Sequence, residues 1–201
     1  MSNNITDKTN PYALLNAEDS VLIIIDVQDD FLNKLAGAES ERLLNNTCWL
    51  IAVAQWQHIP LIVTAEEVHT QPLATKLVDA LPANMPIFDK TSFGLAHQLD
   101  ILAAVEDTKR KTAVLIGLET DVCVMHSAIG LLEKGYRVAV VVDAVSTPAQ
   151  GQEIGLNRMQ KAGVIMVNMK SLFYEWLRTI EVVNRFHTEL PHMRELSGIV
   201  L

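Results

Sequence analysis

Cysteine is scarce in this chain, with two thiols among 201 residues. So few cannot build a disulfide framework, which excludes the small stapled folds and points to a reducing, cytoplasmic setting. Positive charge is also in deficit. There are 16 Lys and Arg against 24 Asp and Glu, a net charge of −8, so the basic face that a general nucleic-acid binder needs is not expected. No apolar run approaches the roughly 20 residues of a membrane helix, so no membrane partner is expected. The opening MSNNITDKTNPYALL has no apolar stretch of the kind a signal peptide carries. Internal repeats and low-complexity segments are missing too. With 49% hydrophobic residues, the chain can bury a sizeable core. It reads as one domain, 1–201, with an N-terminal arm over 1–19 and a C-terminal arm over 181–201.

What is present is an alternation of strand and helix signals. The apolar, β-branched runs Val21–Ile25, Leu61–Thr64, Pro86–Asp89, Thr112–Ile116, Val138–Val142 and Val164–Val167 read as six strands, the first buried on both faces. Helical periodicity covers 38–57, a stretch up to Leu81, 95–105, the segment after Cys123 up to Gly135, 149–162 and 171–183. Cys48, inside the first of these, reads as a core or near-core packing residue. Residues 1–19 read as a loose arm. Such alternation predicts an α/β fold of three layers, a six-stranded, mainly parallel, Rossmann-like sheet with helices on both faces. Ligands of such sheets bind outside the carboxyl ends of the strands.

Three chemically active residues fall at those ends: Asp26, Lys90 and Cys123. Cys123 follows a strand and precedes a helix, so the helix end should lower its pKa. Asp26 could take its proton if burial raised the carboxylate from about 3.9, and Lys90 would favour the charged form of both partners. Together they suit acyl transfer to sulfur and hydrolysis of the thioester by water. Each has a plainer reading taken alone: Asp26 as a turn cap, Lys90 as a surface charge, Cys123 as packing. Glu119 and Asp121 could merely complement the helix start, and Phe31 and Phe93 could be core. His126, three residues after Cys123, offers an alternative Cys–His pair, but it leaves the other two strand ends unexplained.

The motifs DVQDDF at Asp26, KTSF at Lys90 and GLETDVCV at Cys123 resemble, in order and spacing, the isochorismatase-like cysteine hydrolase family, and the likeness runs over residues 20–180. It implies a catalytic triad of Asp26, Lys90 and Cys123. It also implies a cis Leu118–Glu119 bond, an oxyanion hole from the Glu119 and Cys123 N–H groups, and a homo-oligomer, a dimer or larger. Gln28, Phe31, Glu66, Phe93, Asp121 and Val124 are candidate pocket residues around a small-molecule substrate. The reading is a metal-independent hydrolase of a small amide, imide or related carbonyl compound, without cofactor. Isochorismate-type cleavage of an enol ether, a non-catalytic binding or scaffold role, and a redox-sensing thiol are the alternatives. The apolar C-terminal arm, from Val182 to Leu201, should be covered either by its own domain or by a second subunit.

Nicotinamidase-type members carry a metal-binding Asp-x-His soon after a strand-end Thr. Here Thr64 is followed by Ala65-Glu66-Glu67-Val68-His69, in which Glu67 and His69 have the mutual spacing but the wrong register. Catalytic turnover should therefore survive dialysis against a chelator. Loss of turnover restored by added zinc, iron or manganese would refute the metal-free reading.

Overall fold

A computed structural model describes residues 13–193. Its centre is one sheet of six strands: β1 (Ser20–Ile25), β2 (Leu61–Glu66), β3 (Ile87–Lys90), β4 (Thr112–Leu118), β5 (Arg137–Ser146) and β6 (Ile165–Val167). The order across the sheet is β3-β2-β1-β4-β5-β6, and every pairing is parallel. The strand order reverses between β1 and β4, the place where such sheets open a crevice.

Alternation along the central strands divides the interior into two layers. Leu22, Ile24, Val114 and Ile116 face one side, where they pack with α2 (Gly37–Trp56) and α7 (Met169–Leu177). Val21, Ile23, Ile25 and Leu115 face the other, beneath α4 (Leu99–Asp107) and α5 (Met125–Glu133), with Met159 of α6 (Gly151–Ala162). The short helices α1 (Asp29–Leu32) and α3 (Thr75–Ala80) follow β1 and β2.

The structure departs from the sequence reading in several places, each with a local cause. β5 does not stop at Asp143. Its register with β4 jumps from Leu115↔Val140 to Gly117↔Val145, and Asp143 sits in the irregularity. There its carbonyl accepts from Arg42 and Asn46 and its carboxylate accepts from the Met169 N–H, which ties α2 and α7 to the sheet. The helix expected over 95–105 is broken at Gln98 into a 3-10 turn (Leu95–His97) and α4. The Gln98 side chain turns back to the end of β3, accepting from the Thr91 N–H and donating to the Asp89 carbonyl.

The last helix is two helices, α7 and α8 (Ile180–Glu189), separated by Arg178 at φ 66°. The Thr179 hydroxyl caps α8 by accepting from the Val182 N–H. At the other end, residues 13–19 are not loose: Leu15 is buried, and a 3-10 turn spans Ala17–Asp19. Cys48 is half-buried, its thiol 3.6 Å from the Lys76 carbonyl where α2 meets α3.

The described part of the C-terminal arm packs on its own sheet layer. Phe186 of α8 is fully buried, and its ring meets Trp56, Phe173 and Trp49 at 5.2, 5.1 and 6.4 Å. The Trp49 indole donates to the Met193 carbonyl at 3.0 Å. Residues 194–201, the rest of that arm, lie outside the described residues. Truncating a buried Phe costs about 3–5 kcal/mol, and in a chain of this size each kcal/mol moves the melting midpoint by roughly 2–4 °C. Phe186→Ala should therefore lower the midpoint by at least about 6 °C. An unchanged melting curve would show that α8 is not docked here.

Candidate active site

Four neighbouring strands deliver four side chains to one rim. In sheet order these are Lys90 at the end of β3, Glu66 at the end of β2, Asp26 just past β1, and Cys123 in the turn after β4. Asp26 takes φ 51°, a left-handed conformation open to Asp more readily than to most residues. Its N–H donates to the Thr64 carbonyl at 3.1 Å, and the Thr64 hydroxyl donates to Oδ1 at 2.8 Å. Lys90 is in register with Glu66, and its long stem carries the ammonium across β2 toward β1 and β4.

The ammonium is the hub. Lys90 Nζ lies 2.9 Å from Asp26 Oδ2, 3.4 Å from Cys123 Sγ and 3.5 Å from Glu66 Oε2, and it donates to the Ser92 carbonyl at 3.1 Å. Lys90 and Asp26 are fully buried and Cys123 is 3% exposed, whereas the Glu66 side chain is 28% exposed. The cluster therefore meets solvent along Glu66. Asp26, Glu66 and Cys123 bring ligand-type atoms within 4.8 Å of one another. A cation already stands among them, the Lys90 ammonium, so this donor set is filled by protein.

The Cys123 turn is shaped by close packing. The Leu118–Glu119 bond is cis and Gly117 has φ 120°. A Cβ at Gly117 would fall 2.0 Å from the Ile25 carbonyl oxygen, so only Gly fits beside β1. Thr120–Val124 then winds as one π-helical turn, with the Val124 N–H donating to the Glu119 carbonyl, and α5 begins only at Met125. Such turns often mark functional positions.

The electrostatics overturn one expectation. Burial pushes the Cys123 thiol up, the neighbouring Asp26 adds to the effect, and Lys90 only partly opposes it; the result is about 12 instead of a lowered value. Desolvation is the largest of these causes, so the lowering expected from a helix start does not prevail. Burial also raises Asp26 above the ordinary carboxylate range, against the pull of Lys90 and Thr64. Burial disfavours the Lys90 cation, yet Asp26, Cys123 and Glu66 together hold its pKa above the usual lysine value. The resting cluster thus holds a neutral thiol, with a carboxylate beside it better suited to accept a proton than an ordinary Asp.

Among the six candidate pocket residues, the structure brings Glu66 into the cluster. Gln28 is a buried clamp: its amide donates to the Glu66 and Gln71 carbonyls, and its oxygen accepts from the Glu66 N–H. Phe31 packs in the core, with the Lys34 ammonium 4.3 Å from its ring centroid. Val124 is fully buried in the helix-covered core layer. Asp121 turns toward α6, accepting from the Thr147 hydroxyl, and a Cβ at Gly151 would strike its carboxylate. Phe93 is 56% exposed and meets His126 edge-on at 6.2 Å, so His126 points to that exposed ring and joins no Cys–His pair. The Glu119 side chain pairs with Lys34 at 3.2 Å. Two contacts were missed by sequence reasoning. The Thr64 hydroxyl on Asp26 had a signal, a strand-end Thr one strand over. The Ser92 carbonyl on Lys90 had none, because any residue offers a carbonyl.

With this geometry in hand, likeness to known proteins becomes informative. A family model described as the isochorismatase domain matches residues 20–171. Isochorismatase family protein 2A of Dictyostelium discoideum is 29% identical over 178 residues, covering 82% of this chain and 86% of that protein. Two solved structures superpose at TM-score 0.80 with 26% identity. One is the YcaC gene product of Escherichia coli, described as an octameric hydrolase of unknown specificity, which covers 92% of this chain and 95% of its own. The other is the MAR1 ribonuclease of Caenorhabditis elegans, which covers 94% and 98%.

A thiol raised to about 12 keeps its proton until the pH passes well beyond the ordinary cysteine range. The far-ultraviolet thiolate absorbance of wild type minus Cys123→Ser should therefore stay flat from pH about 6 to about 10. A step centred near neutrality would show instead that the thiolate is the resting form.

Proposed function

The chain belongs to the isochorismatase family of hydrolases, and on that premise we propose that it is a metal-independent cysteine hydrolase of a small amide, imide or related carbonyl compound. One observation carries the reading: a buried ammonium, Lys90 Nζ, stands 2.9 Å from Asp26 Oδ2 and 3.4 Å from Cys123 Sγ. Asp26 Oδ1 accepts from Thr64, while the buried Oδ2 faces only the Lys90 ammonium at 2.9 Å, which leaves its second lone pair unused. That lone pair can take the thiol proton.

In the proposed cycle Asp26 takes the proton from Cys123 as Sγ bonds to the substrate carbonyl carbon. Lys90 stabilises the negative charge as it moves from carboxylate to sulfur. The Glu119 and Cys123 N–H groups receive the oxyanion. Collapse of the tetrahedral species breaks the C–N bond, and the departing nitrogen takes its proton from Asp26. Ionised again, Asp26 removes a proton from water as the water oxygen attacks the thioester, and Sγ leaves protonated.

Both cysteines are free thiols, which supports a reducing, cytoplasmic setting. No helix among the described residues is long and apolar enough to cross a membrane. The octameric Escherichia coli structure supports a homo-oligomeric assembly. Two carboxylates at the rim and a net charge of −8 favour a small molecule over RNA, whose phosphates need basic partners.

Small amides, ureides and nicotinamide, offered to wild type and Cys123→Ala with ammonia release as readout, test the proposal. Wild type should turn over at least one of them, and Cys123→Ala should lose at least about a thousandfold in kcat/KM, as expected when a nucleophile is removed. Full activity in Cys123→Ala would instead favour water as the nucleophile, as in enol-ether cleavage.

A further inference from the structure

The proposed chemistry uses Asp26, Lys90 and Cys123 and leaves Glu66 unexplained. Its plain reading is a counter-charge for Lys90. The geometry goes further than that. An ammonium has three N–H groups, and those of Lys90 have three nearer takers in Asp26, the Ser92 carbonyl and Cys123 Sγ. Glu66 Oε2, at 3.5 Å, is the most distant oxygen around it and accepts from the Cys123 thiol at 3.8 Å. Its other oxygen, Oε1, has no hydrogen-bond partner among the described residues. Glu66 is also the most exposed member of the cluster, so a substrate approaching the sulfur passes beside it.

The carboxylate is held in place from behind. Gln28 grips the Glu66 backbone on both sides, donating to its carbonyl and accepting from its N–H at 2.8 Å each. Pairing in register with Lys90 fixes the strand end. The cluster combines two carboxylates with one ammonium, a net charge of minus one. Passing a proton from the thiol to Asp26 leaves that sum unchanged. An anionic substrate would therefore meet repulsion at every stage, while an N–H group beside the scissile carbonyl would find an unspent acceptor.

We propose that Glu66 is the specificity-determining residue of this site, selecting neutral or cationic carbonyl compounds that carry an N–H next to the scissile bond and rejecting carboxylate-bearing ones. The inference rests on the cysteine-hydrolase reading above. It narrows the substrate class to primary amides, ureides and amidine-like compounds without an acid group near the reacting carbon.

The test uses two reagents of similar size and different charge, iodoacetamide and iodoacetate, with peptide mapping to read Cys123 in the full-length protein. Rates are normalised to N-acetylcysteine, which removes intrinsic reactivity. Wild-type Cys123 should prefer iodoacetamide by about tenfold beyond the free thiol, the size expected of one net charge in a partly solvated site. Added salt should shrink that preference. Glu66→Gln keeps the size of the side chain and both backbone bonds to Gln28, and should bring the ratio within about twofold of the free thiol, mainly by speeding iodoacetate. A preference that is unchanged in Glu66→Gln and insensitive to salt overturns the proposal and leaves Glu66 a partner of Lys90 alone, with the nucleophile reading intact. If the protonated Cys123 takes neither reagent, kcat/KM for a neutral amide against its carboxylate-bearing analogue replaces the alkylation ratio, and a preference unchanged in Glu66→Gln overturns the proposal, while loss of turnover in Cys123→Ala separately tests the nucleophile reading.

Discussion

The site depends on the burial of one ammonium. A lysine with no solvent contact is tolerable only when opposite charge and hydrogen-bond acceptors surround it. For Lys90 those partners come from β1, β2, the turn after β4 and its own following loop. Removing one partner of such a pair typically costs about 3–5 kcal/mol, so the demand for partners is strict. Four consecutive strands must end at matching heights for their side chains to meet at Lys90. The parallel order β3-β2-β1-β4 achieves this because every carboxyl end lies on the same rim. An antiparallel neighbour would have sent its side chain to the opposite edge.

The turn that carries the sulfur is held from two directions. On the β1 side, Gly117 lets β4 approach so closely that any side chain there would strike Ile25. On the α6 side, Gly151 and Gly155 admit Asp121 into contacts that a Cβ would block. The Thr147 and Thr120 hydroxyls complete the joint, donating to Asp121 and Gln152 at 2.6 Å each. Asp121 thus serves the site through position. It anchors the π-helical turn to a separate helix, so Sγ has little freedom to move away from Lys90. Precision of this kind supports catalysis when a reacting atom must sit within a fraction of an ångström of its partners.

Periodicity made much of this legible in the sequence. Runs such as Val21–Ile25 and Thr112–Ile116 identify buried parallel strands, and their carboxyl ends point to Asp26 and Cys123 without further information. The sequence could not show how far a long side chain reaches. The end of the third strand points to Lys90 as well, but only the sheet order shows that its stem must cross β2 to meet Asp26. Nor could it show that β5 would run through Asp143, because that polar residue is satisfied by the Arg42 guanidinium, the Asn46 amide and the Met169 N–H from distant helices. The two-helix C-terminus was hidden in one continuous apolar pattern, broken by a positive φ at Arg178 that no residue type announces. The strand expected over Leu61–Thr64 runs on to Glu66, which is its last residue and part of the charged cluster.

The neutral resting thiol helps to separate the hydrolase from the redox alternative. A redox-sensing cysteine reacts as an exposed thiolate, usually near a second cysteine that resolves the first oxidation product. Cys123 is buried and held in the thiol form, and the other thiol, Cys48, lies at the α2–α3 contact beside the Lys76 carbonyl. A hydrolase needs the opposite balance. Its sulfur should stay protonated until a carbonyl carbon is in place, and then lose the proton to a base already in the cluster. A thiolate formed in that step is intrinsically more nucleophilic than one with a low pKa, because nucleophilicity falls with pKa. On the proposed mechanism, burial therefore suppresses reaction with oxidants while keeping sulfur strongly reactive once Asp26 accepts the proton. The same desolvation that raises Cys123 also raises Asp26, so in the proposed cycle a single physical cause protects the nucleophile and strengthens its base.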